Sequence, residues 1–375
     1  MQKKIIALAI AGLASSAAFA QTNVTIYGVA DVGYFYQQAA GKNVQSSIDS
    51  GGLAGSRIGF KGVEDLGNGL KALFTLEYAI AMDNNTNVGY VDSPWSSTAA
   101  RQQFVGLSSA SLGTVVAGRL QTAGYDFACA YTGGFAGSAF NVSERAGVAG
   151  VINCGTGGRA SNAVAYISPS FGGVTVALNH ARVTENTNAM GYTNSTVNQA
   201  ADSSASLLHV TYANGPLQAG AVFARVNASN TIASDDVREM GLGATYDFGV
   251  VKLNAMYVAQ KAFGVGSENN QKVVAGVTVP VMSKGSVVAG VARSFISNNT
   301  TQDNLTAYNL GYIHSLSKRT KLYAGYTYVN GQDQSTTNTW GGSAAATNAA
   351  ASATNMTSQL GGNSQIIGFG INHAF

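Results

Sequence analysis

Cut at its turn residues, the chain falls into about sixteen short segments of alternating apolar and polar residues, joined by connections that are long and short in turn. No other feature constrains the fold as tightly. Side chains alternate sides along a strand, so each segment carries one apolar face and one wettable face. In 251–257, Val251, Leu253, Ala255 and Tyr257 alternate with Lys252 and Asn254. In 321–328, Leu322, Ala324, Tyr326 and Tyr328 share one side. A sheet with one apolar face crosses a bilayer only if it closes on itself, because an open edge would leave backbone groups unpaired in lipid. The pattern therefore predicts an all-β, 16-stranded antiparallel transmembrane β-barrel.

The N-terminus reads differently. Lys3 and Lys4 precede the apolar run 5–13, and Ala18-Phe19-Ala20 is a small-x-small cleavage site. That is the layout of an export signal peptide over 1–20, leaving 21–375 as one barrel domain. No other run approaches the roughly 18 apolar residues of a membrane helix. Charged residues make up 10% of the chain, against roughly 25% in soluble domains. The 46 glycines and 17 tyrosines suit a lipid-facing wall with amphipathic rings at its rims. The net charge of +3 includes Lys3 and Lys4, so no basic field remains to attract nucleic acid.

Turn residues mark short connections near 66–68, 169–172, 214–216, 248–249 and 315–318. The longer connections between them are rich in Asn, Ser, Thr, Gly and Ala, and 344–357 is expected to be an outer loop. A secreted β-sandwich is the alternative, but it would not keep its tight turns on one rim. The third long connection, about 121–159, far exceeds the ~4–6 residues of a median loop. Barrels of roughly 16–18 strands enclose an aqueous channel, and this third loop is expected to fold inward and narrow it. Cys129 and Cys154 both lie in it, and an exported chain meets an oxidising compartment, so they are candidates for a disulfide.

Catalytic patterns are absent. His180, His209, His314 and His373 are scattered, with neither a His-Glu-x-x-His nor a Gly-x-Ser-x-Gly motif. No cofactor, metal or enzymatic activity is expected, and an outer-membrane barrel enzyme is the remote alternative.

Several segments resemble the general diffusion porins of Gram-negative outer membranes, the beta-proteobacterial and neisserial branch most of all. They are 24–31 (VTIYGVAD), 56–72 (SRIGFKGVEDLGNGLKA), 101–107 (RQQFVGL) with Gly118-Arg119, 162–169 (NAVAYISP) and 368–375 (GFGINHAF). The resemblance implies a homotrimer in outer-membrane lipid and lipopolysaccharide, passing small hydrophilic solutes and ions. A substrate-specific channel is the alternative within that class. It also implies wall arginines at Arg57, Arg101 and Arg159 facing the third loop, and a terminal Phe375 read by the barrel-insertion machinery.

Alternation supports two of these arginines independently. Ile58 and Phe60 on the lipid side turn Arg57 and Lys61 inward, and Phe104 and Gly106 on the lipid side turn Arg101 inward. A lipid-facing arginine near the midplane would cost ~2–4 kcal/mol. Lys71 and Arg119 are expected to add an inward row. The acidic Pro-Glu-x-Gly-Gly type of tip is missing from the third loop, where Tyr131-Thr132-Gly133-Gly134-Phe135 stands instead. Asp126 and Glu144 are therefore the candidate partners of the arginines.

Overall fold

A computed structural model describes residues 23–39, 43–84, 100–147, 150–182, 204–227, 236–263, 269–295, 304–331 and 363–375. The expected signal peptide (1–20) and the Ala-rich stretch 344–357 lie outside the described residues. The strands are β1 (Asn23–Ala39), β2 (Gln45–Ser50), β3 (Arg57–Gly67), β4 (Leu70–Ala79), β5 (Ala100–Ser109), β6 (Gly113–Gln121), β7 (Arg159–Ile167), β8 (Val174–Arg182) and β9 (Ser204–Asn214). They continue with β10 (Leu217–Asn227), β11 (Asp236–Asp247), β12 (Lys252–Phe263), β13 (Asn269–Val281), β14 (Gly285–Phe295), β15 (Leu305–Ser315), β16 (Thr320–Gly331) and β17 (Ser364–Ala374). From β3 onward each strand pairs antiparallel with the next, and β17 returns to β1 through Val29↔Ala374 to Ala39↔Ser364.

Seventeen strands make a sixteen-stave barrel because β2 and β3 share one position. Both lie on the same edge of β1, β2 opposite 32–37 and β3 opposite 23–29. The sequence reads 54–65 as the second strand, which corresponds to β3, whereas β2 lies in what reads as the first long connection. The short connections (68–69, 110–112, 168–173, 215–216, 248–251, 282–284 and 316–319) fall on one rim, where β1 starts and β17 ends. Asn68 (φ 52°) and Gly69 (φ 77°) form a two-residue hairpin turn closed by Gly67↔Leu70. Left-handed φ at both positions matches strand twist, which is why Asn-Gly stands there.

Alternation separates the two faces as the sequence implied. In β16, Tyr323, Thr327 and Val329 are buried while Leu322 and Tyr326 are exposed, at 41% and 39%. Tyr34 and Phe369 stack on the outer face 5.7 Å apart. The buried residues face inward because the third loop fills part of the lumen. It forms α1 (Ala123–Tyr131), α2 (Val142–Arg145) and a 3-10 turn at Thr156–Gly158.

Rings of this loop lie on glycines of the wall. Phe127 and Tyr131 cover Gly241 and Gly243, Phe135 covers Gly311, and Phe140 covers Gly325. Without Cβ atoms these positions are shallow grooves. Each fully buried ring contributes ~2 kcal/mol. The loop backbone is held by wall side chains as well. Asn254 donates to Tyr131 O at 3.0 Å, Asn309 to Phe140 O at 2.7 Å, and Lys272 Nζ to Ser143 O at 3.0 Å. Glu239 accepts from Val151 N (3.1 Å) and Ile152 N (3.0 Å).

Candidate functional site

The third loop crosses from β6 to the wall of β9–β16, and the arginines stand on the other side of the lumen, on β3–β7. Arg57, at the start of β3, has its Nε 3.5 Å from Oε2 of Glu77 on β4. Arg101, on β5, donates from Nε to Oε1 of the same carboxylate at 2.8 Å. Tyr27 completes the shell, donating to Oε2 at 3.1 Å. Arg159, at the start of β7, lies close enough to feel the charges of Arg101, Glu77 and Arg119. Glu77 is buried at 4%, while the Arg57 and Arg101 side chains keep 25% and 16% exposure. Arg57 and Arg101 thus share one carboxylate, with the Arg159 guanidinium near them.

Glu77 escaped the sequence reading, although its signal was present. Lys71 was assigned to the inward side of this strand, and steps of two lead from it through Leu73 and Thr75 to Glu77.

Arg101 faces the patch for a reason other than simple alternation. Val105 and Leu107 are the exposed residues of β5, at 62% and 49%, while Phe104 packs inward on the cluster of Val116, Leu120 and Ala163. Phe104 and Gly106 therefore face inward, opposite to the expectation, and strict alternation from them would send Arg101 outward. A one-residue bulge corrects this. Glu77 pairs with Gln102 and Tyr78 with Ala100, so Arg101 is the extra residue and shares the side of Gln102.

Arg119 departs from the expected inward row. Its register opposite Gln103 gives it the parity of Val115 (47% exposed) and Ala117. Its Nε donates to Ala100 O at 2.7 Å and its Nη1 to Ser161 Oγ at 2.6 Å. Lys61 is exposed, with its ammonium 5.2 Å from the centre of the Tyr27 ring, and Lys71 is exposed nearer the short-turn rim.

The loop carboxylates do not touch the arginines; the loop meets the patch with Tyr125. Arg159 Nη2 donates to Tyr125 Oη at 3.3 Å, and its guanidinium sits 4.8 Å from that ring. The cause is the register of α1. Thr122 caps it by accepting from Tyr125 N, and the helix buries Ala123, Gly124, Phe127, Ala128 and Tyr131 against the wall. Asp126 is thereby turned away from the wall and exposed, yet crowding by protein pushes its carboxyl up to about 6. Burial likewise raises Glu144, although Arg145, Lys272 and Arg159 pull the other way. Burial lowers Arg145 to about 10, and its guanidinium donates to Ala139 O. Cys129 of α1 and Cys154 are joined by a disulfide with Cα atoms 4.8 Å apart. Phe375 ends at the seam, exchanging backbone hydrogen bonds with Gly28 at 3.1 Å.

This arrangement places guanidinium groups on the inner face of the barrel wall beside the third loop. It offers no metal cluster among the described residues.

Comparison with known proteins agrees with the barrel fold. Residues 7–334 match the family model described as Gram-negative porin. The outer membrane porin protein 32 of Delftia acidovorans is 33% identical over 350 residues, covering 90% of this chain and 92% of that one. The major outer membrane protein P.IB of Neisseria meningitidis serogroup B is 36% identical over 127 residues, 32% of this chain and 34% of that one. Among solved structures, the anion-selective porin from Comamonas acidovorans superposes with a TM-score of 0.75 at 26% identity, covering 95% of this chain and all of that one.

Proposed function

The chain belongs to the Gram-negative porin family and is a passive channel of the bacterial outer membrane; from that premise we propose that the Arg57–Arg101–Arg159 patch and the facing third loop decide what passes. The observation that carries this reading is the imbalance of charge at the wall: Arg57 and Arg101 share the Glu77 carboxylate, and Arg159 stands near Arg101 with its guanidinium against Tyr125. Charged side chains lining a narrow, wet path set the barrier each ion meets. An excess of fixed positive charge lowers it for anions and raises it for cations. Lys61 and Lys71, exposed on the same wall, extend the bias towards the short-turn rim. The solved relative described as anion-selective supports the same direction.

Across the aperture, the exposed Asp126 of the loop supplies the opposite sign, while Glu144 is buried beside Arg145 and Lys272. Together the two sides set a transverse field that orders water and disfavours apolar solutes, while small hydrophilic ones pass. The assembly we infer is a homotrimer in lipid and lipopolysaccharide, delivered by the barrel-insertion machinery through Phe375.

Bilayer recordings in a potassium chloride gradient test the reading. Wild type should show a reversal potential displaced towards that of chloride. Arg57→Ala combined with Arg101→Ala should move it towards zero or to the cation side. An unchanged reversal potential would overturn the assignment.

A further inference from the structure

Halfway along β1 the neighbour on one edge changes. Val32 pairs with Ser50 of β2 and Val29 with Arg57 of β3. Ala30 and Asp31 therefore face the six residues 51–56, where an unbroken strand would place two. The extra chain is pushed into the lumen and folds around Asp31. Gly51 N donates to Asp31 O at 2.9 Å. Ser56 Oγ donates to the same carbonyl at 2.9 Å and accepts from Asp31 N at 3.0 Å. The Asp31 carboxylate accepts from Leu53 N at 3.1 Å and Ala54 N at 2.9 Å. From across the barrel seam, Tyr323 Oη donates to it at 2.8 Å and Asn372 Nδ2 at 2.7 Å. Asp31 is fully buried, and a buried carboxylate is tolerated only while its donors stay in place. Its burial therefore makes 51–56 rigid.

One bond carries that rigidity to the pore. Arg57 Nη1 donates to Gly55 O at 2.9 Å, and Gly55 follows directly on Ala54. We propose that Asp31 is a positioning residue for ion selection: it fixes 53–54, which aims the Gly55 carbonyl, which holds the Arg57 guanidinium over the lumen beside Glu77. This rests on the reading above, in which Arg57 helps to set selectivity. The competing role is a plain brace of the β1–β17 seam, for which Tyr323 and Asn372 would matter as much as Leu53 and Ala54.

Reversal potentials in a salt gradient, with unfolding temperatures of the purified barrel, separate the two roles. Wild type, Arg57→Ala, Asp31→Asn, their double variant and Phe369→Ala are compared. Asp31→Asn should shift the reversal potential in the direction of Arg57→Ala, and the double variant should shift no further than Arg57→Ala alone. Phe369→Ala, which weakens the seam on its outer face where that ring meets Tyr34, should lower the unfolding temperature and leave the reversal potential at the wild-type value. A wild-type reversal potential in Asp31→Asn, or a shift fully additive with Arg57→Ala, overturns the proposal. So does an equal shift in Phe369→Ala. A wild-type value in Arg57→Ala itself would sink the selectivity patch and this inference with it, a failure visible in that single variant. If Asp31→Asn does not insert, Ser56→Ala takes its place, freeing one end of 51–56 with the carboxylate intact. It should shift the potential in the same direction, and no shift overturns the proposal.

Discussion

Arg101 reaches Glu77 only through a bulge: its Nε stands 2.8 Å from Oε1 because β5 carries one residue more than β4 at that point. Burial of this carboxylate between guanidinium groups ties the wall's fold to its electrostatics.

Replacing Glu77 by Gln keeps the shape and removes the charge. The anion preference should rise, with the reversal potential moving further towards that of chloride. Stability should fall by about 2 kcal/mol, in the range of a hydrogen bond to a charged group, since the arginines then repel one another. Denaturant unfolding in detergent and bilayer recording read the two effects. A reversal potential that stays put would mean passing ions do not sense Glu77.

Joining Cys129 to Cys154 closes a segment spanning 25 positions. The chain-entropy model puts the stabilisation at ~3 kcal/mol. Thiol titration of the denatured, non-reduced protein should find no free thiol among the two cysteines of the chain. Reduction, or Cys129→Ser with Cys154→Ser, should leave the barrel folded while open-channel current noise rises, because α1 and the approach to Arg159 are no longer tied.

Gly325 is the groove for Phe140. A Cβ there would stand 2.8 Å from the ring, and overpacking of that kind costs ~1–3 kcal/mol. Gly325→Ala should therefore displace the loop around Phe140 into the lumen. Single-channel conductance is expected to fall; a wild-type conductance with wild-type stability would mean the wall yields instead.

Asp126 supplies the pH dependence. Its carboxyl is raised from 3.8 to about 6, so in that window the folded state keeps a proton that the unfolded chain has released. Stability from this group is therefore lost as pH rises from 3.8 to about 6, and nothing further changes above it. The exposed carboxylate also adds negative charge to the aperture as it ionises. Anion preference should fall as pH rises through about 6, and Asp126→Asn should flatten that profile. An unaltered profile in the variant would assign the effect to another group.

What the sequence by itself determined was the wall. Period-two alternation is local and does not depend on distant partners, so the number of staves, the rim of tight turns and the inward face of Arg57 could be read residue by residue. The length of 121–159 likewise pointed to a loop that docks inside.

Only the tertiary structure decided how the charges meet. A bulge has no local signature in β5, so the inward turn of Arg101 depends on what β4 places opposite it. The split of the second stave around Asp31 needs donors up to 341 residues away. The face that α1 turns to the wall follows from ring-on-glycine packing across the lumen, and it hands contact with Arg159 to Tyr125 rather than to Asp126. Alternation specifies the side of a sheet on which a residue lies. Which residues become neighbours there is a property of pairing and docking between segments far apart in the chain, and those are settled only when the barrel closes.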